Sequence, residues 1–163
     1  MATIRSTRGS LISTLLVASA FSPNASAAAP TPGQLAALRD RAVALVNAFP
    51  AATLSTAEHA YQLDDAILDA DGAQHARLSR SFRGMRVIGG DLVVHLDRLG
   101  NFRSTSQTLQ RLIEVPSAPA VSPGSARLLA QTFFAGVVSG TLPELVVYAR
   151  GDRPELAYDV RLS

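Results

Sequence analysis

The chain has 163 residues, 47% of them hydrophobic and 17% charged, which excludes a disordered polymer and provides apolar side chains for one globular domain or two small ones. Its 15 basic residues, all arginine, are nearly offset by 13 acidic ones, and a net charge of +2 gives no ground for a nucleic-acid partner. There is no cysteine, so disulfides are excluded and core packing must hold the fold.

The first thirty residues read as an export signal. Arg5 and Arg8 precede the apolar run Leu11 to Phe21, and Ala25-Ser26-Ala27 supplies the small residues of a cleavage site, so residues 1–27 are expected to be removed after Ala27. A membrane anchor would need roughly 20 uninterrupted apolar residues, and this run stops at Ser22-Pro23. The mature product is therefore expected to be secreted or periplasmic, with no membrane contact once the signal is gone.

Thr31-Pro32-Gly33-Gln34 opens the mature part with a capping box and a proline at the first helical position. Leu35, Leu38, Ala42, Leu45, Val46 and Phe49 then recur at helical spacing, and Pro50 ends the run. From Tyr61 the period changes, and the following segment leads into the turn Asp71-Gly72. In Gln74 to Phe82, Ala76, Leu78 and Phe82 share one parity and His75, Arg77, Ser79 and Ser81 the other, the pattern of a half-buried strand. Arg83-Gly84-Met85 turns the chain, and Val87 to Leu96 is expected to return as one strand with Ile88, Leu92, Val94 and Leu96 on its buried face. A turn at Asp97 to Asn101 leads to a further strand, Phe102 to Gln107.

Pro116 to Val121 has the composition of a linker, after which Ser122-Pro123-Gly124-Ser125 repeats the opening cap. Leu129, Ala130, Phe133, Phe134 and Val137 predict a second amphipathic helix ending near Gly140, followed by strands at Leu145 to Tyr148 and Leu156 to Leu162. The expected fold is thus α+β, a helix packed on an antiparallel β-meander in each of two related units, the second incomplete.

Chemistry is sparse. His59, His75 and His95 are the histidines, and no H-E-x-x-H occurs. If the hairpin pivots on Gly84, His75 and His95 lie on the same face of neighbouring strands within diagonal reach. Two such ligands do not make a zinc site, so no metal and no catalytic residue is assigned. No nucleophile turn accompanies the serines. The aspartates at 64, 65, 69 and 71 lack calcium-loop spacing, and turn or solvation roles are expected of them. Gly89-Gly90 inside a strand pattern signals a bulge or a close backbone approach, and Asp91 follows with a polar side chain in an apolar run.

The ordered string from Asp69 through Asp71-Gly72, His75, Arg77, Arg80 and Gly84 to Val87-Ile88-Gly89-Gly90-Asp91-Leu92-Val93-Val94-His95 resembles the pro-region of secreted bacterial thermolysin-type zinc metallopeptidases, the fungalysin/thermolysin propeptide (FTP) motif. Ser122 through Tyr148 to Val160 resembles the start of the PepSY unit that follows in such pro-regions. The resemblance implies an FTP-like domain at 31–114, a linker at 115–121 and a partial PepSY-like domain at 122–163, cystatin-like in shape. It also implies a non-catalytic folding chaperone and inhibitor whose partner is a thermolysin-type catalytic domain, in cis or trans, with zinc held only by that domain. The candidate contact and motif residues are His75, Arg77, Gly84, Gly89, Gly90, Asp91 and His95. Arg86 stands where the family pattern has proline. The chain stops before a catalytic domain would begin, so the other readings are the front of a peptidase precursor and a free-standing exported binding module.

Overall fold

A computed structural model describes residues 30–134 and 141–161. The export segment with Ala25 and Ala27, and Val137 and Gly140, lie outside the described residues; the helix expected to run to near Gly140 ends at Phe133, with Phe134 extended as its cap.

The first helix, α1 (Pro32–Ala48), starts at the expected cap: the Thr31 hydroxyl accepts from the Gln34 amide, and the Gln34 side chain accepts from the Thr31 amide at 2.8 Å. Phe49 ends it, and Pro50 opens a single turn, α2 (Pro50–Thr53), closed by Leu54 in the left-handed region. Leu38, Ala42 and Val46 form the buried stripe. Phe49 stays exposed and stacks on the Phe102 ring, with centroids 5.0 Å apart.

The strands are β1 (His59–Leu68), β2 (Gln74–Phe82), β3 (Met85–Ile88), β4 (Leu92–Leu96) and β5 (Phe102–Gln107), followed by α3 (Pro123–Phe133), β6 (Glu144–Tyr148) and β7 (Glu155–Asp159). They make one sheet ordered β5-β4-β2-β3-β6-β7, with β1 on the other side of β2. The α+β class holds. The antiparallel meander holds for β1, β2, β4 and β5, but β3 pairs with β6 in parallel, Val87 opposite Val147.

The expected strand Val87 to Leu96 is two strands. Phe82 pairs with Met85 across a turn whose central residues, Arg83 and Gly84, both have positive φ, the type I′ geometry of tight hairpins. Leu78 pairs with Leu92, so Ser79 and Arg80 stand opposite the five residues from Val87 to Asp91. The surplus residues swing β3 away from β2 and onto β6. They also reverse the facing of Ile88, which is half-buried while Val87 takes the core position. The sheet therefore forks at Gly89-Gly90.

Two apolar clusters result. Leu38, Ala42 and Val46 of α1 pack on Ala76, Leu78, Leu92, Val94 and Leu96. Beyond the fork, Phe82, Val87, Val147 and Ala149 are covered by Leu109 and Ile113. α3 buries only Ala126, and Leu129, Ala130 and Phe134 line an open cleft shared with Leu145, Leu156 and Tyr158. The expected buried face of Leu129, Phe133 and Phe134 is instead more than half exposed.

Candidate functional site

The face of β2, β4 and β5 turned away from α1 carries the alternate parity. His75 and Arg77 of β2 stand opposite His95 and Val93 of β4, which stand opposite Ser104 and Ser106 of β5. Antiparallel pairing brings opposed side chains to within contact distance, and His75, His95, Arg77 and Ser106 each have a polar side-chain neighbour.

The surplus residues of the fork convert the expected diagonal contact of the histidines into direct opposition. Their Nδ1 atoms are 2.7 Å apart and the rings meet edge to face. His75 Nε2 is 3.0 Å from Asp69 Oδ2, at the start of the β1–β2 turn, and His95 Nε2 is 3.0 Å from Ser106 Oγ. Partial burial, the neighbouring His75 and Arg103 together hold His95 below the ordinary histidine value. Among the described residues no group of three histidine or acidic side chains is placed to hold a metal ion.

Next along the face, Arg77 Nη2 donates to Asp91 Oδ2 at 2.8 Å, and this bond raises the Arg77 value above its ordinary one. Asp91 reaches Arg77 because the fork delivers it. Gly89 has φ +83°, and a β-carbon there would stand 2.6 Å from Arg150 Cγ, so only glycine lets the backbone pass the β6–β7 turn. The Gly89 carbonyl accepts from Thr108 Oγ1 at 2.7 Å, and the Ile88 carbonyl from the Ala149 amide. Beside them opens a cleft of about 620 Å³ lined by Arg77, Asp91, Thr108, Arg111 and Arg150 among others.

Of the sequence candidates, the fold brings together His75 with His95, and Arg77 with Gly89 and Asp91. Gly90 is buried beneath the same fork. Gly84 belongs to the β2–β3 turn at the other end of β2 and takes no part in this face.

Ser106 has no signal in the sequence, and Asp69, expected only in a turn or solvation role, also partners His75. Arg80 was the larger omission. It shares the parity of Ala76, Leu78 and Phe82 and is 1% exposed. Its guanidinium donates to the carbonyls of Thr53 (2.7 Å) and Leu54 (3.0 Å) and to Gln107 Oε1 (3.1 Å), with its charge also over the Tyr61 ring. Gln107 in turn donates to the Ala52 carbonyl. The pair thus ties the fork to the last turn of α2, where unpaired carbonyls attract a cation. Burial lowers the Arg80 value.

Residues 60–109 match the Fungalysin/Thermolysin Propeptide Motif, a span that begins in β1 and includes the line Asp69–His75–His95–Ser106, the Arg77–Asp91 bond and the fork. The chain is also similar to the transglutaminase-activating metalloprotease of Streptomyces mobaraensis, 31% identical over 102 residues that cover 58% of this chain and 13% of that protein. The chain resembles a thermolysin-type pro-region.

Proposed function

We propose that residues 31–114 form a pro-region unit that docks on the catalytic domain of a secreted thermolysin-type zinc metallopeptidase, assists its folding and keeps it inactive. Residues 122–163 would be the opening of a PepSY-like unit, joined to the first through β3 and β6 with 115–121 between them. Export behind residues 1–27 fits this role, and among the described residues no helix is long and apolar enough to cross a membrane. The peptidase chemistry and its zinc belong in this reading to the partner domain, and His75, Arg77, Asp91 and His95 make the contact.

The observation that carries the reading is that the matched segment 60–109 presents an open face on which polar side chains are already paired. Side chains fixed before association lose less conformational entropy on binding, and a bulge is a known means of re-aiming a residue toward a partner.

The test is to add the chain to a mature thermolysin-type protease and follow peptide hydrolysis against concentration. Saturable inhibition, with a higher yield of active enzyme when the denatured protease refolds beside the chain, is the expected result. Neither effect at any concentration would sink the proposal.

The 13% share of a metalloprotease relative favours a second form of the same reading, in which the module acts in cis at the front of a precursor. An H-E-x-x-H sequence encoded in the same reading frame after codon 163 would support that form.

A further inference from the structure

The line Asp69–His75–His95–Ser106 is a chain of three hydrogen-bonded contacts running across β2, β4 and β5. With Asp69 ionised and accepting from His75 Nε2–H, the His75 Nδ1 lone pair accepts from His95 Nδ1–H, and His95 Nε2 accepts from the Ser106 hydroxyl. Each ring nitrogen then has one role, and the pair is satisfied in its neutral form. One added proton is also accommodated. Placed on His95 Nε2 it requires only that the Ser106 hydroxyl turn and accept, and the Nδ1–H···Nδ1 bridge survives. Shifted along the line it sits on His75, beside the Asp69 carboxylate, with His95 in its other tautomer.

A second added proton has no such place. Both rings are then cations, and two N–H groups face each other where the nitrogens stand 2.7 Å apart, so the bridge must break. The surrounding charges do not relieve this. Asp69 compensates one imidazolium, Arg103 of β5 opposes a charge on His95, and Arg77, the next residue outward on this face of β2, already holds Asp91. On the β1 side, Ile67 stands opposite His75 and Asp65 stands opposite Arg77.

We propose that this line of four residues is a proton-operated latch on the docking face, closed with none or one added proton and forced open by two, so that the bound protease is released in acid. The proposal rests on the docking reading given above for its consequence, but not for the latch itself.

Two measurements on the full chain separate them. In a histidine-resolved NMR titration from pH 8 to pH 4.5, His75 and His95 should titrate as a coupled pair, with the second proton deferred at least tenfold in proton concentration beyond the first. His59 serves as the independent control. Two independent titrations near the ordinary histidine value would overturn the latch. In the second measurement, affinity for a mature thermolysin-type protease is compared at pH 7.5 and pH 5 for wild type and for His95→Gln, which retains a donor toward His75 but binds no proton. The ratio should be at least tenfold in wild type and collapse toward unity in the variant. Equal ratios would overturn control of release, while a complex undetectable at either pH would sink the docking reading and leave the titration to decide the latch.

Discussion

A β-carbon on Gly90 would stand 2.5 Å from Cγ1 of Val87 and 2.8 Å from its Cβ. Gly90 is thus retained for space: the fork folds the chain back on itself so closely that no side chain fits between them.

Substituting Gly90→Val is therefore expected to strain the fork and lower stability by about 1–3 kcal/mol, the usual range for overpacking. Urea denaturation would read this as a fall in midpoint at unchanged slope. Inhibition of a thermolysin-type protease should fall with it, since Asp91 is positioned by the same backbone. Unchanged stability and unchanged inhibition together would show that the fork has no such tight approach.

Arg80 is buried with three oxygen partners and, among the described residues, no carboxylate bonded to it. Arg80→Met removes the guanidinium and leaves the Thr53 and Leu54 carbonyls and Gln107 to find other donors. Each stranded acceptor costs about 1–3 kcal/mol, partly offset by the desolvation no longer required of the cation. A net loss of about 2–4 kcal/mol is expected. Arg80→Lys should recover less than half of it, because a single ammonium cannot span the three acceptors. Denaturant unfolding of both variants is the check.

His59 carries the clearest pH dependence outside the docking face. Its Nδ1 accepts from the Thr56 amide at 2.8 Å, its ring lies against Phe82, and burial with the nearby Arg80 charge lowers its value from the ordinary 6.5. The unfolded chain therefore takes up this proton first as pH falls. The His59 contribution is complete above about 6.5 and is lost through the interval below it, down to the folded value. His59→Asn preserves an acceptor for the Thr56 amide and does not titrate, so its urea midpoint should fall less than that of wild type between pH 7 and pH 5.

Arg86, which stands where the family pattern has proline, pairs with both Glu144 and Asp159 and so links β3 to β6 and β7. All three side chains are more than a third exposed or nearly so, and solvent screening limits such pairs to about 1 kcal/mol or less. Arg86→Ala should cost no more than that, and the difference should shrink as salt is raised from 50 mM to 500 mM.

The local features were legible in the sequence: the Thr31 cap, the α1 stripe, the parity of β2 and the turns at Gly72 and Gly84 all follow from side-chain chemistry within a few residues. The glycine pair announced a disturbance, but not its extent, because the number of surplus residues is set by where β3 finds β6, far along the chain. For the same reason the face of Ile88 was misassigned and the histidines were expected on a diagonal. Arg80 was passed over because burial of an arginine depends on carbonyls at the end of α2, which no period reveals. The apolar face of α3 reads as buried, since its pattern does not show that Leu129 and Phe134 stand across an open cleft from Leu145, Leu156 and Tyr158.

The parallel pairing of β3 with β6 also sets an order of assembly. β2, β3, β4 and β5 follow one another through turns of a few residues, whereas Val87 meets Val147 only after an intervening stretch containing β4, β5 and α3. Loop closure over that distance makes this the strand pairing of longest sequence separation and the slowest to form. A nascent chain that has not yet produced Glu144 thus holds β3 with one unpaired edge beside a completed first cluster, and strand addition from another copy is the competing reaction. Aggregation during synthesis should therefore track the time taken to deliver β6, and slowing translation across residues 108–143 should worsen it.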